Sequence, residues 1–455
     1  MEQRGNKFRV KWWEGEYYPS GAKKFAWESG FSSHEEAENY GLDRESDIRN
    51  DRHIRKSDGS LLMKDYLKSW PDTLDVGHLR ERNVRSYIRL YIEPRWGDSA
   101  VGDIKPSMYR AWEKWIKAQP NIGHSYAGEI LRVFAMLMDD AVDDGLRTAS
   151  PVKRKTRRGR YKKKPREKKR PMDMADVFQL ALNGLTYWGL PGFAFNLTKP
   201  FTGMRPAELY ALRREYCYPS WPASDPDDDQ RREATERYNG VNPMPALRVQ
   251  YQHQRKDGAL ELFPPKYESY RTLVIPRFLA ELTELLLSSH DSEWAFVSIS
   301  GGQLANANYA YHYWRPTADG RPATSTFERT RLGQHQVVDS RRPLPEIPAT
   351  AYAGKRLYLL RHGHKEWLDE DGHPRVAVEH RMGHELPGVE GTYSNVTPAM
   401  ERAIMESLQE RWLRFVRTLG SDWRSRFPSS CPVDLLDWME SQVRVAAATD
   451  PATGS

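Results

Sequence analysis

Cysteine is almost absent from this chain. Its 455 residues include only Cys217 and Cys431, too few for a disulfide framework or a cysteine-rich metal centre. Long apolar runs are missing too. No window approaches the ~18 uninterrupted apolar residues of a membrane-spanning helix, and no apolar stretch stands behind the opening residues Met1 to Lys7. A cytoplasmic chain in a reducing compartment is therefore expected, with no membrane contact. Apolar residues make up 39% of the chain, so much of it must be loop, linker or solvated face around its cores. There is no internal repeat. Acid is scarce in one place above all. Residues 153–170 read KRKTRRGRYKKKPREKKR, with Glu167 as the single acid in the run. Such a run is either a solvated linker or a track along a phosphate backbone, and the two roles are compatible.

The length predicts two to four domains. Phe8 to Trp13 alternate as a strand, Gly15 and Pro19-Ser20-Gly21 mark turns, and Lys24 to Trp27 resume an extended run. Ser32 and Ser33 ahead of Glu35 and Glu36 form two overlapping capping boxes for a helix towards Tyr40. Trp12, Trp13 and Trp27 either fill this module's small core or line a sheet face that reads a DNA groove. From about Leu61 to Leu146 the pattern is helical. One stripe is closed by Pro94, and the cleanest runs through Ile130, Phe134, Leu137 and Ala141, so four helices and an all-α domain are expected. After the basic run come helices at 175–185 and 207–213, then an acidic, Pro-rich stretch at 219–229 that reads as a surface insertion. Strands follow near 247–251, 260–262 and 272–276, a helix at 278–287, and a Pro/Gly/Arg-rich loop at 319–349. Helices resume at Tyr358, Val376 and Met400, and the tail carries an apolar cluster at Val433, Leu435, Leu436 and Trp438.

Four short segments carry chemistry. They are Thr202-Gly203-Met204-Arg205-Pro206-Ala207-Glu208-Leu209, then Leu360-Arg361-His362, then Met382-Gly383-His384, and finally Tyr393 in Gly391-Thr392-Tyr393-Ser394. Transfer of a phosphodiester needs a nucleophile, cations on the non-bridging oxygens and a proton donor for the leaving oxygen. Tyrosine, with a pKa of about 10, is phenolate only about once in a thousand at pH 7, so unassisted ionisation costs roughly 4 kcal/mol. Guanidinium groups offset that cost while forking to two phosphate oxygens.

These segments resemble those of the tyrosine recombinases, the phage-integrase family. The resemblance covers about residues 171–417 and extends more loosely to the modules before it. It implies a multidomain chain: a small α+β sheet module (1–56) for arm-type DNA, and an all-α domain (57–150) that clamps the core site. A basic linker (151–171), a mixed α+β, mainly helical catalytic domain with a small antiparallel sheet (172–420) and a tail (421–455) follow. By the same resemblance Arg205 and Arg361 are phosphate ligands, and Glu208 is a supporting acid. Lys266, in Pro264-Pro265-Lys266-Tyr267-Glu268-Ser269, is the general acid, although Lys256 and Arg271 stand nearby. His384 belongs to the Gly-His element, His362 is a supporting residue and Tyr393 is the nucleophile. One position departs: Tyr358 stands where the family usually has histidine. Lys153, Arg154, Lys155, Arg157, Arg158, Arg160, Lys162, Lys163 and Lys164 are expected on DNA.

The implied reaction leaves a 3′-phosphotyrosyl enzyme and a free 5′-hydroxyl, with no metal or other cofactor. The implied partners are double-stranded attachment sites, a homotetramer on DNA and an excisionase or DNA-bending protein, in a phage or bacterial element. The segment 401–416 resembles a helix that family members pass to a neighbour; packing within its own chain is the alternative. Two rival readings stand beside this one. The dense histidines, with His380 and His384 sharing a helix face, could bind a metal, though no H-E-x-x-H is present. The departure at Tyr358 fits a DNA-binding accessory protein that has lost catalysis.

Overall fold

Alternation at the N-terminus does build a sheet. The computed structural model describes residues 1–4, 6–49, 59–152, 171–305, 309–323, 329–332, 335–338, 345–385 and 395–449. They fall into two units, Met1–Pro165 and Arg166–Ser455. In the first, strands β1 (Glu2–Arg4), β2 (Lys7–Tyr17) and β3 (Lys23–Phe31) form an antiparallel sheet in that order. Helix α1 (His34–Arg49) runs well past Tyr40. Its start is capped as the serines predict: Ser33 Oγ accepts from the Glu36 amide at 3.1 Å, and Glu36 returns a carboxylate to the Ser32 amide at 2.8 Å. The three tryptophans do not share one core. Trp12 is buried with Val10 and Ala37, whereas Trp27 and Phe25 are exposed. Lys11 pairs with Trp27, and Trp13 with Phe25, across the ladder. The Arg9 guanidinium lies 4.0 Å from the Trp27 ring centre and the Lys11 ammonium 4.1 Å from that of Phe25.

The helical stretch follows: α2 (Met63–Ser69), α3 (His78–Tyr87), α4 (Pro106–Ala118) and α5 (His124–Asp143). Their apolar stripes meet around Trp96, Trp112 and Phe134. Pro94 does not close its helix. The chain runs on from α3 through a π-helical turn, Ile88–Ile92, into Glu93–Trp96. The wider turn shifts the hydrogen-bond ladder just where proline has no N–H to give.

The second unit is mainly helical with small antiparallel sheets. Helices α6 (Met174–Trp188) and α7 (Leu190–Thr202) are followed by the short α8 (Pro206–Tyr210) and α9 (Asp228–Asn239). Four strands come next: β4 (Ala246–Val249), β5 (Gln252–Lys256), β6 (Ala259–Phe263) and β7 (Arg271–Val274). β4 pairs with β7, and β5–β6 is a hairpin between them. Helix α10 (Arg277–Ser288) precedes a second hairpin, β8 (Arg329–Leu332) with β9 (His335–Val338), where only loop was expected. Helices α11 (Leu359–Glu370), α12 (Arg375–Met382), α13 (Pro398–Arg417) and α14 (Val433–Ala448) complete the unit.

Other readings change as well. The helix α7 was missed because its residues are buried on nearly all sides and show no polar face. The stretch at 219–229 is not wholly a surface insertion, since Trp221 is in the core beside Tyr216. Helix α13 packs within its own chain: Trp412 stacks on Phe278 at 4.4 Å and Phe415 meets Phe178 at 5.1 Å. The tail is docked as well, with Leu435, Trp438 and Met439 buried in the same core. Among the described residues no helix is long and apolar enough to cross a membrane.

Candidate active site

Two glycines and a proline shape the arginine corner. Helix α7 ends at Gly203, which takes the left-handed conformation (φ +63). A Cβ there would come within 2.5 Å of the His364 ring. Pro206 opens α8, and a residue before proline is driven to extended backbone, as Arg205 is (φ −66, ψ 148). Glu208 then caps α8 by accepting the Arg205 amide at 2.7 Å. The Arg205 side chain is left to donate to Glu208 Oε1 (2.8 Å), Ser269 Oγ (3.1 Å) and the Gly383 carbonyl (2.9 Å).

Arg361 reaches the same place from the first turn of α11. It is almost fully buried and donates to the Gly203 carbonyl at 2.6 Å and to the Met382 carbonyl. The backbone turn Met382-Gly383 thus lies between the two guanidinium groups. Gly383 ends α12 with φ +63, and a Cβ on it would press on the Arg271 guanidinium at 2.9 Å. The next residue, His384, sits with Nε2 3.1 Å from Arg361 Nη2 and Nδ1 2.7 Å from Glu379 Oε2. A carboxylate opposite Nδ1 requires the proton there, so Nε2 is the acceptor and faces Arg361 with its lone pair. Lys365 holds the other oxygen of Glu379 at 2.5 Å.

Cationic charge is in surplus. Arg271, buried on β7, donates to both Glu208 oxygens (3.2 and 2.8 Å) and to the Arg381 carbonyl (2.9 Å). Arg381 donates to His364 Nε2 (3.0 Å) and to the carbonyls of Val274 (2.8 Å) and Phe201 (2.9 Å). Lys199 is buried under the corner and donates to the Met204 carbonyl. Burial would raise the Glu208 carboxyl, but Arg271 and then Arg205 outweigh it and hold it at about 2. Burial first, and then repulsion from Arg205, brings Arg361 down to about 10. Burial and the Arg361 charge push the Lys199 amine well below its ordinary value. Such a site gains by taking an anion.

Lys266 lies on an exposed turn, its ammonium 4.6 Å from the Tyr267 ring centre. The turn is strained: Tyr267 (φ 61) and Glu268 (φ 50) are both left-handed. It is tied to the arginine corner through Ser269 Oγ, which donates to the Lys266 carbonyl at 2.9 Å and accepts from Arg205. Tyr358 is exposed at the start of α11, its ring edge-on to exposed His362 at 5.1 Å. The structure therefore brings together Arg205, Glu208, Arg361 and His384. It keeps Tyr358 and His362 on the exposed side and Lys266 one hydrogen-bonded link away. Tyr393 and the basic residues from Lys153 to Lys164 lie outside the described residues. Sequence reasoning missed Arg271 as the partner of Glu208, Arg381 as a brace, Glu379 as the orienting acid of His384, and Lys199. A charged residue inside an apolar strand or helix was the available signal, and β7 and α7 both carry one.

His380 and His384 do not form a paired metal-ligand face, because both nitrogens of His384 are engaged by Glu379 and Arg361. Among the described residues no group of three acids, histidines or cysteines could hold a metal ion.

No protein-family model matches the chain, and no curated protein does. Solved structures do match. The Tn1549 transposon integrase in complex with transposon right end DNA is 14% identical, with a TM-score of 0.49 over 76% of this chain and 99% of that one. A lambda integrase tetramer bound to a Holliday junction is 13% identical, with a TM-score of 0.43 over 84% and 94%. The XerA recombinase is 12% identical, with a TM-score of 0.28 over 77% and 97%.

Proposed function

We propose that this chain is a tyrosine-type site-specific DNA recombinase, an integrase that cuts and rejoins DNA through a 3′-phosphotyrosyl intermediate. One observation carries the reading. The guanidinium groups of Arg205 and Arg361 converge, with His384, on the backbone turn Met382-Gly383 in a site of surplus positive charge. A phosphodiester is an anion of the right shape for two forked donors.

Tyr393 is the nucleophile. Its phenolic oxygen attacks the scissile phosphorus and the bond from phosphorus to the 5′ oxygen breaks. Arg205 and Arg361 stabilise the charge that grows on the non-bridging oxygens. When Arg361 turns its Nη2 from His384 to the phosphate, the freed Nε2 lone pair accepts the phenol proton, and Glu379 behind Nδ1 stabilises the imidazolium that forms. Lys266 gives a proton to the leaving 5′ oxygen. Attack by a 5′-hydroxyl of the partner DNA reverses the step, so the bond energy is kept. A neutral phenol is a poor proton acceptor, so Tyr358 donates a hydrogen bond at the exposed rim. Four protomers on two duplexes, attachment sites as substrate and a DNA-bending or excisionase partner complete the reading. The sheet face of exposed Lys11, Phe25 and Trp27, with half-buried Arg9, supports arm-DNA contact by the N-terminal module.

The test is a nicked duplex carrying the site recovered by DNA selection with the protein. The wild type should give an SDS-resistant covalent adduct. Tyr393→Phe should give none, and Arg205→Ala or Arg361→Ala should slow it by ~100-fold or more. Tight binding with no adduct would sink the recombinase and favour the accessory-protein reading that Tyr358 motivates.

A further inference from the structure

Helix α9 grips the chain just after the nucleophile segment. It is capped by Asp227, whose carboxylate accepts the Gln230 amide at 2.9 Å. Its last turn presents Arg237 and Tyr238 to the start of α13. Arg237 Nε donates to Glu401 Oε2 at 3.0 Å, and its Nη2 donates to the Val396 carbonyl at 3.0 Å. Tyr238 adds a hydroxyl to Glu401 Oε1 at 3.3 Å, and Arg402 ties back to the Asn242 carbonyl at 2.8 Å. Glu401 is buried in the first turn of α13, where Thr397 Oγ1 caps the Met400 amide at 3.3 Å. A small cavity of about 10 Å³ beside it is lined by Val396, Glu401, His380 and Arg381. Arg381 is the brace of the arginine corner.

We propose that Arg237 is a positioning residue for the nucleophile, by fixing Val396 and the first turn of α13 just after it in sequence; this rests on Tyr393 being the nucleophile. Tyr393 stands three positions before Val396. An extended chain spans at most ~3.3–3.6 Å per residue, so an anchored Val396 keeps the Tyr393 Cα within ~11 Å of its own. The first turn of a helix is also where it frays, because its first amides have no partner within the helix. Without Arg237 the Val396 carbonyl is released and the buried Glu401 loses its nearest counter-charge, so both ties fail together. Arginine suits this task because one planar fork reaches a carboxylate and a carbonyl on different residues, which an ammonium does less well.

The test compares wild type, Arg237→Ala, Arg237→Lys and Glu401→Gln on the nicked substrate at saturating DNA, with DNA affinity measured separately. Adduct formation should slow ~10-fold or more in Arg237→Ala and by an intermediate factor in Arg237→Lys and Glu401→Gln, with affinity unchanged. Hydrogen exchange is the second readout. Amides of residues 396–401 should exchange faster in each variant, and those of α10 at the wild-type rate. Unaltered exchange at 396–401, or an adduct rate that falls only as DNA affinity falls, overturns the proposal. If Arg237→Ala does not fold, the lysine and glutamine variants decide by the same criteria. A wild type that forms no adduct sinks the recombinase reading, whereas the exchange result judges the anchor by itself.

Discussion

Glu208 shows what a single buried charge does here. Its carboxylate caps α8, forks Arg205 and receives both ends of Arg271. The folded carboxyl titrates near 2 against an ordinary 4.5. The unfolded chain therefore binds that proton more readily than the folded one. The stability Glu208 contributes is complete above about pH 4.5 and is lost as the pH falls through about 2. The difference corresponds to about 3 kcal/mol. Glu208→Gln should cost ~3–5 kcal/mol in denaturant unfolding at pH 7, because Arg271 is left buried without its counter-charge. It should also flatten the acid limb of stability against pH between about 4.5 and 2. A wild-type acid limb in the variant would mean that another carboxylate controls it. The sequence pointed to Glu208 through its motif. A charge at the start of the apolar strand β7 marked Arg271, but not that Glu208 is its partner, since the pair is joined across 63 positions.

At the scale of elements, α7 and α12 end in the same way, and those ends make the site. Each stops at a left-handed glycine, Gly203 or Gly383, and each glycine is pressed by a side chain of the site. An L-residue pays about 1–2 kcal/mol for that conformation before any clash is counted. Gly383→Ala should keep the fold but displace the Arg271 guanidinium and the carbonyl that Arg205 holds. Adduct formation should then fall by ~10-fold or more, with a melting temperature lowered by a few degrees. Wild-type cleavage by this variant would show that the turn does not set the arginine geometry. The motif T-G-M-R and the motif M-G-H were legible as strings. That their glycines are needed for the same reason appears only once His364 and Arg271 are seen packed on them.

At the scale of the whole molecule, charge and connectivity matter most. The chain carries 69 lysines and arginines against 62 acids, a modest surplus concentrated in the run at 153–170. If that run touches DNA, neutralising its lysines and arginines should lower the slope of log affinity against log salt by about 0.9 for each phosphate that is no longer neutralised. An unchanged slope would make the run a spacer. The helical pattern of 61–146 was readable because each helix has one buried stripe and one wet face. The turn into Trp96 past Pro94 was not, because a π-helical turn leaves no periodic signature.

What the sequence determined by itself was the chemistry on offer. Scarce cysteine, no long apolar run, a basic run and an ordered set of Arg, Lys, Arg-His, Gly-His and Tyr are all local facts, readable in strings of a few residues. Several strands and most helices were readable for the same reason, since period and capping are local, but β5 and the β8–β9 hairpin were not. Only the tertiary structure decided which polar groups face each other: Arg271 with Glu208, Glu379 with His384, Arg237 with the Val396 carbonyl and Glu401. It also decided that α13 and α14 fold back on their own chain. Those pairings are set by which buried groups can satisfy one another across distant parts of the chain, and that is a property of packing rather than of neighbours in sequence.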